Sequence, residues 1–155
     1  MTKAIWFDMD GTIADLYGVT DWLPQLQSEN ANPYRVAKPM VNMNTLARYL
    51  NKLQKCGWSL GIISWGSKYS TDTYLHKVSE TKIKWLKAHL ASVKFNRINI
   101  VHYGTPKSSV CDGGILFDDE AQNREEWREQ AYEPNQIFNV LKLLTSGKSC
   151  GIIKM

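Results

Sequence analysis

The sequence predicts an α/β fold: a parallel sheet with helices on both faces. Three observations predict it. Short apolar runs recur along the chain, bounded by Gly, Pro, Asn and Asp, as strands buried on both faces are. Stretches with helical spacing separate them, and strand alternating with helix implies a parallel sheet. The first four runs each end in, or just before, polar side chains with useful chemistry, and in such sheets function gathers at the carboxyl ends of the strands.

The first run is Ala4–Phe7, followed by Asp8 and Asp10. Met43–Cys56 places Leu46, Leu50 and Leu53 on one helical face, with Gly57 as its stop. Trp58–Ser64 is the second strand and ends in a hydroxyl. From about Thr71 to Val93, Leu75, Val78, Leu86, Leu90 and Val93 recur at helical spacing, and Lys82, Lys84 and Lys87 read as its solvated face. Ile98–His102 is the third strand. Thr105 then reads as an N-cap with Pro106 at the first helical position, opening a short turn that carries Lys107. Gly114–Phe117 is the fourth strand and ends at Asp118 and Asp119. A polar helix over Asn123–Glu129, a short fifth strand at Gln130–Tyr132 and an amphipathic helix over Pro134–Leu144 complete the pattern. The tail after Ser146 is Gly/Ser/Lys-rich at first, and its GIIK segment is free to pack back or fray.

The length of 155 residues suits one domain spanning 1–155. Hydrophobic residues at 43% and charged ones at 22% give an ordinary globular balance. There is no run of eighteen apolar residues, so no membrane span is expected. Lys3 is followed by only four apolar residues before Asp8, too few for a secretory signal, and cytoplasmic residence is the default expectation. Cys56, Cys111 and Cys150 are widely spaced with no CxxC or Cys/His cluster, so zinc is not suggested and reduced thiols are expected. The net charge of +4 favours anionic partners such as phosphate esters. The basic residues are spread out, so the charge pattern does not indicate nucleic-acid binding.

Asp8 and Asp10 carry the chemical question. Side chains alternate along an extended chain, so these two share a side. Like charges held that close repel, and each costs desolvation. A cation is the simplest compensation. Gathered at one sheet edge, Asp8, Asp10, Asp118, Asp119, Ser64 and Lys107 make four carboxylates, a hydroxyl and an ammonium. Oxygen donors of this kind suit Mg²⁺, which takes few carboxylates and shares the rest of its shell with water and phosphate. Ser64 as a donor and Lys107 as a point charge suit a phosphoryl group. That leaves one aspartate as nucleophile and another as acid/base.

FDMDGT resembles the first motif of the haloacid dehalogenase superfamily, IISWGS its second, Lys107 its third and ILFDDE its fourth. The order and rough spacing agree from the first strand to Asp119, about three-quarters of the chain. The resemblance implies a Rossmann-like, HAD-like sheet and a Mg²⁺-dependent phosphatase working through an aspartyl phosphate. It implies Asp8 as nucleophile and Asp10 as general acid/base. It implies a Mg²⁺ site formed by Asp8, Asp10 through its backbone carbonyl, Asp118 and Asp119. Ser64 and Lys107 would bind the transferring phosphoryl group, with Trp65 and Gly66 of the second motif beside them as substrate contacts. The Asp-Met-Asp-Gly start and the final Asp-Asp pair are also similar to those of deoxyribonucleotidases, whose larger cap has no counterpart here.

Three other assignments fit less well. A calcium-binding EF-hand loop starting at Asp8 would need an acidic ligand at Thr12, glycine at Ile13 and glutamate at Val19. A phospho-accepting receiver module carries its acidic pair on the first strand and its acceptor Asp alone on a later one, the reverse of the order here. A binding module with a decayed site would be expected to lack some motif positions, and all are filled. Residues 13–40 form a short cap-like insertion with room for one helix around Asp21–Ser28 and a loop through Asn32, Pro33 and Tyr34. It offers Tyr17, Trp22, Tyr34 and Arg35, and with Trp65 these aromatics can stack on a base. A minimal cap implies an open site. The expected substrate is a nucleotide or other small phosphate ester, and the alternative is a phosphorylated macromolecule such as a nucleic-acid end.

Overall fold

The computed structural model describes residues 2–146. The elements, in chain order, are β1 (Ala4–Phe7), β2 (Ala14–Asp15), α1 (Trp22–Gln27), α2 (Asn32–Val36), β3 (Lys38–Pro39), α3 (Met43–Lys55), β4 (Ser59–Trp65), α4 (Asp72–His89), β5 (Arg97–Val101), β6 (Ile115–Phe117), α5 (Ala121–Glu126), β7 (Gln130–Tyr132) and α6 (Ile137–Ser146). One-turn 3₁₀ helices lie at Lys107–Ser109 and Pro134–Gln136. The main sheet has five parallel strands in the order β5-β4-β1-β6-β7, flanked by helices in a Rossmann-like arrangement. The chain builds outward from β1 through β4 to β5, then returns to the other side of β1 for β6 and β7. The crevice where that order reverses is the expected ligand position in an open α/β sheet.

The period of two along each strand explains why the sheet is buried on both faces. On β1, Ile5 and Phe7 join Leu60 and Ile62 of β4 and Ile115 and Phe117 of β6 under α3 and α6. Ala4 and Trp6 point the other way, into a smaller cluster with Ile63, Leu116 and Trp127. Leu46, Leu50 and Leu53 of α3 are fully buried, as their spacing predicts. Asn42 caps that helix by accepting a hydrogen bond from the Thr45 amide at 3.0 Å.

Four details correct the reading of the sequence. The segment through Pro33 is helical, with Pro at its first turn, where the missing N–H costs nothing. Pro106 is itself the cap of the turn at Lys107, while Thr105 Oγ1 donates instead to the His102 carbonyl at 2.7 Å. Cys56 is disulfide-bonded, because separation along the chain does not say which residues meet in space; Cys111 is free and buried. The fourth concerns α4. Its buried residues are Tyr74, Val78, Lys82, Trp85 and Leu86, so Lys82 lies on the apolar stripe and not on the solvated face. Cys150 and the GIIK tail lie outside the described residues. Among the described residues no helix is long and apolar enough to cross a membrane.

The insertion packs firmly on α4. Leu16, Leu26, Ala31 and Tyr34 bury against Tyr74 and Val78. The Tyr74 hydroxyl donates to the Asn30 carbonyl at 2.9 Å, and Trp85 Nε1 donates to the Ala37 carbonyl at 2.8 Å. Antiparallel pairing of β2 with β3 closes its base.

Candidate active site

Backbone pairing carries the site residues to one edge of the sheet. The Asp8 amide donates to the Phe117 carbonyl at 2.9 Å, and the Asp118 amide to the Tyr132 carbonyl at 3.1 Å. The ladder thus runs one residue past β1 and β6 and fixes both aspartates. Beyond Asp8 the chain turns about the Met9 carbonyl, which accepts from the amides of Thr12, Ile13 and Ala14 at 3.0, 2.9 and 2.9 Å. Gly11 lies at φ +80°, and a β-carbon there would fall 2.3 Å from Asp119 Oδ2. Only glycine makes this turn without displacing that carboxylate.

Around Asp8 the carboxylates of Asp8, Asp118 and Asp119 each offer an oxygen, all within 4.8 Å of one another. Lys107 is buried against two of them, with Nζ 3.0 Å from Asp8 Oδ1 and 2.5 Å from Asp118 Oδ2. Burial alone would lower the pKa of Lys107, but Asp8 and Asp118 outweigh it and the ammonium is held above its ordinary range. Burial, then the charge of Asp8, pushes Asp118 up to about 6 against the pull of Lys107. The same two causes push Asp119 up to about 8.

Two side chains in this half were not singled out from the sequence. The Thr12 hydroxyl lies 3.1 Å from Asp8 Oδ2 and 3.2 Å from Asp119 Oδ1, and it accepts from the Asp119 amide at 3.2 Å. Asn123, buried on α5, donates to Asp118 Oδ2 at 3.1 Å, while Asp118 Oδ1 accepts from the Glu120 amide at 2.9 Å. Thr12 sits in the DxDGT motif itself, so its position was the available signal. Asn123 has no comparable local signal.

Asp10 has different company. Its Oδ2 accepts from Lys82 Nζ at 2.8 Å, and it is not among the three converging carboxylates. Lys82 is 1% exposed and donates also to Ser64 Oγ and the Trp65 carbonyl, both at 2.8 Å. Its Nζ lies 4.8 Å from the centre of the Tyr34 ring. Burial raises the pKa of Asp10; Lys82 opposes this and Asp8 adds to it, leaving a net rise. The signal for Lys82 was in the sequence, since it stands four residues after Val78 and four before Leu86.

A cleft of about 440 Å³ opens over these groups. Asp8, Asp10, Asp119 and Lys107 line its floor, with Trp65 and Gly66 beside them, and Leu16, Tyr17, Trp22 and Tyr34 of the insertion form one wall. Ser64 is fully buried and does not line the cleft. Trp65 is anchored through Nε1, which donates to the Thr105 carbonyl at 2.8 Å, so it braces the loop leading to Lys107. The Gly66 amide is taken up by the Val101 carbonyl at 2.7 Å, and a β-carbon at Gly66 would meet Leu75 Cδ1 at 2.4 Å. Gly66 is therefore a close-packing position whose amide is already engaged. Three carboxylates, Asp8 and Asp118 buried and Asp119 half-buried, gathered around one ammonium beneath an aromatic-walled cleft, can hold a hard cation and receive an anionic ester. No protein-family model matches the chain, and no curated protein matches it significantly.

Proposed function

We propose that the protein is a Mg²⁺-dependent phosphomonoester hydrolase of the haloacid dehalogenase type, working through an aspartyl phosphate. The observation that supports it most is the convergence of Asp8, Asp118, Asp119 and Lys107 at the sheet edge beneath the cleft. The donor set fits Mg²⁺: three converging carboxylates and a single ammonium leave negative charge uncompensated. Asp8, Asp118 and Asp119 would hold the ion, with the Asp10 backbone carbonyl. When bound, Mg²⁺ neutralises these carboxylates and the phosphoryl oxygens.

The chain's own groups then divide the work. A carboxylate oxygen of Asp8 forms a bond to phosphorus as the bond from phosphorus to the leaving oxygen breaks. Asp10, whose protonation burial favours against the pull of Lys82, delivers a proton to that leaving oxygen. Water then attacks phosphorus, Asp10 takes the water's proton, and the bond to Asp8 breaks to release phosphate. Lys107 stabilises the charge on the phosphoryl group. A cleft of about 440 Å³ with Tyr17, Trp22, Tyr34 and Trp65 on its walls suits a small ester with a planar or apolar leaving group, such as a nucleotide. Tyr69, 90% exposed at the mouth, favours a second reading in which the phosphate sits on the end of a longer chain.

The test is phosphate release with Mg²⁺ from nucleotides, sugar phosphates and 3′- or 5′-phosphorylated oligonucleotides. Release by the wild type, absent in Asp8→Asn, is expected. No release from any ester would end this reading.

A further inference from the structure

Lys82 is a second buried charge beside Asp10, and its surroundings restrict what it can do. An ammonium has three donors. All three are used, on Asp10 Oδ2, Ser64 Oγ and the Trp65 carbonyl, each at 2.8 Å. The ring of Tyr34 lies alongside at 4.8 Å. Neither Lys82 nor Ser64 lines the cleft. For Lys82 to grip a phosphoryl oxygen it would have to give up one of three charge-assisted bonds and pass the aspartate in front of it. Lys107 is placed differently, because it lines the cleft floor itself.

We propose that Lys82 is a positioning residue for Asp10: by holding Oδ2, it leaves Oδ1 as the oxygen that carries the proton to the leaving group. Ser64 and the Trp65 carbonyl belong to the same device. They fix the ammonium at the end of β4, so the Asp10 carboxylate has one well-defined rotamer. This assigns Ser64 a task other than direct contact with phosphate. It also explains why a helix facing the core carries a lysine in the stripe between Val78 and Leu86. The inference rests on the phosphatase reading, since it concerns the group that protonates the leaving oxygen.

Esters that differ only in their need for that proton separate the possibilities. A nitrophenolate leaves without protonation, whereas an alkoxide does not. The experiment compares kcat/KM for 2,4-dinitrophenyl phosphate and for glycerol 2-phosphate, because this constant stops at loss of the leaving group and ignores the later hydrolysis. In Lys82→Met, glycerol 2-phosphate hydrolysis should fall on the order of 10²–10⁴-fold, the range of general-acid catalysis, and the dinitrophenyl ester by less than about tenfold. Asp10→Asn should give the same split, and Lys82→Met added to Asp10→Asn should cost little more. Equal losses for both esters would overturn the inference and make Lys82 a phosphate ligand.

If Lys82→Met does not fold, as judged by its melting transition, Ser64→Ala removes one of the three acceptors and keeps the charge. It should show the same split on a smaller scale. Equal losses there would make Ser64 a direct phosphoryl contact and sink the proposal. A wild type that hydrolyses neither these two esters nor any of the wider screen fails the phosphatase reading itself, and the role given to Lys82 falls with it.

Discussion

Around Asp8, three carboxylates share one ammonium, whereas around Asp10 one carboxylate meets one ammonium. Both lysines are buried, at the edge of one sheet, and each pairs with one of two aspartates only a residue apart. The first half is short of positive charge, and burial together with the charge of Asp8 pushes Asp118 up to about 6 and Asp119 up to about 8. The second half is balanced, and its ammonium is saturated by protein acceptors. The difference marks the half in which the proposed cation would be held. It also divides one short motif into a half with excess negative charge and a half whose charges the fold pairs.

The largest effect is expected at Asp8. Asp8→Asn should remove turnover on the order of 10⁴–10⁶-fold, as loss of a nucleophile does. It also takes one anion from the crowded half, so the metal-free variant should melt at or above the wild-type temperature. Full activity in Asp8→Asn would rule out the aspartyl-phosphate route. Lys107→Ala strikes the same half from the other side, removing its one ammonium. Loss of a transition-state stabiliser should cost on the order of 10²–10³-fold in kcat/KM. A rate within twofold of wild type would place Lys107 outside the reaction.

The two halves were not equally legible in the sequence. Asp8, Lys107, Asp118 and Asp119 follow directly on apolar runs or on a capped turn, so their place at the sheet edge could be read locally. β1 and β7 have the bounds expected of them, and the other main-sheet strands differ by a residue or so. Lys82 was lost because a lysine among Lys84 and Lys87 on a helix reads as solvated. Its register with Val78 and Leu86 says otherwise, but only when residue type is set aside. Ser64 was read correctly as a strand-end hydroxyl, yet which group it meets is a tertiary fact: Lys82 lies eighteen residues away. The segment at Pro33 reads as a loop in the sequence because proline breaks helices in their interiors, while at a first turn it starts them.

The charge shortage around Asp8 also predicts how metal and pH act together. Asp118 and Asp119 have folded pKa values raised above the ordinary 3.8. Their contribution to stability is therefore full below about pH 4. It is lost as pH rises through about 6 for Asp118 and about 8 for Asp119. Metal-free protein should lose stability across that window. Mg²⁺ competes with those protons, so its stabilisation should grow with pH. At about a hundred times its Kd the ion adds about 2.7 kcal/mol, or roughly 5–10 °C for a domain of this size. A shift in melting temperature that is the same at pH 5.5 and 8.5 would mean that these carboxylates do not hold the ion.

Asp10 should respond in the opposite sense to Asp8. Asp10→Asn leaves the buried ammonium of Lys82 without its counter-charge, though the amide oxygen can still accept from it. The expected cost is about 1–3 kcal/mol, seen as a melting temperature lower by roughly 3–10 °C. Asp8→Asn and Asp10→Asn thus remove the same charge two residues apart with opposite effects on metal-free stability. Parallel shifts would erase the distinction between the halves.

The smallest effect lies where the halves meet, at Trp65. Its carbonyl accepts from Lys82 on the Asp10 side. Its indole Nε1 donates to the Thr105 carbonyl at 2.8 Å, and its ring centre lies 5.4 Å from Lys107 Nζ on the Asp8 side. Trp65→Phe keeps an aromatic ring against Tyr103, now 4.9 Å away, and keeps the carbonyl. It removes only the N–H, so the Thr105 carbonyl loses a donor and the loop ahead of Lys107 relaxes. One neutral hydrogen bond contributes about 1 kcal/mol, which corresponds to about a fivefold fall in kcat/KM. Because no carboxylate is touched, the Mg²⁺-dependent rise in melting temperature should be unchanged. A loss confined to the rate would show that Trp65 braces Lys107 without taking part in the metal cluster. A loss of Mg²⁺ stabilisation in Trp65→Phe would instead tie the loop to the carboxylates, and the separation of the two halves would have to be abandoned.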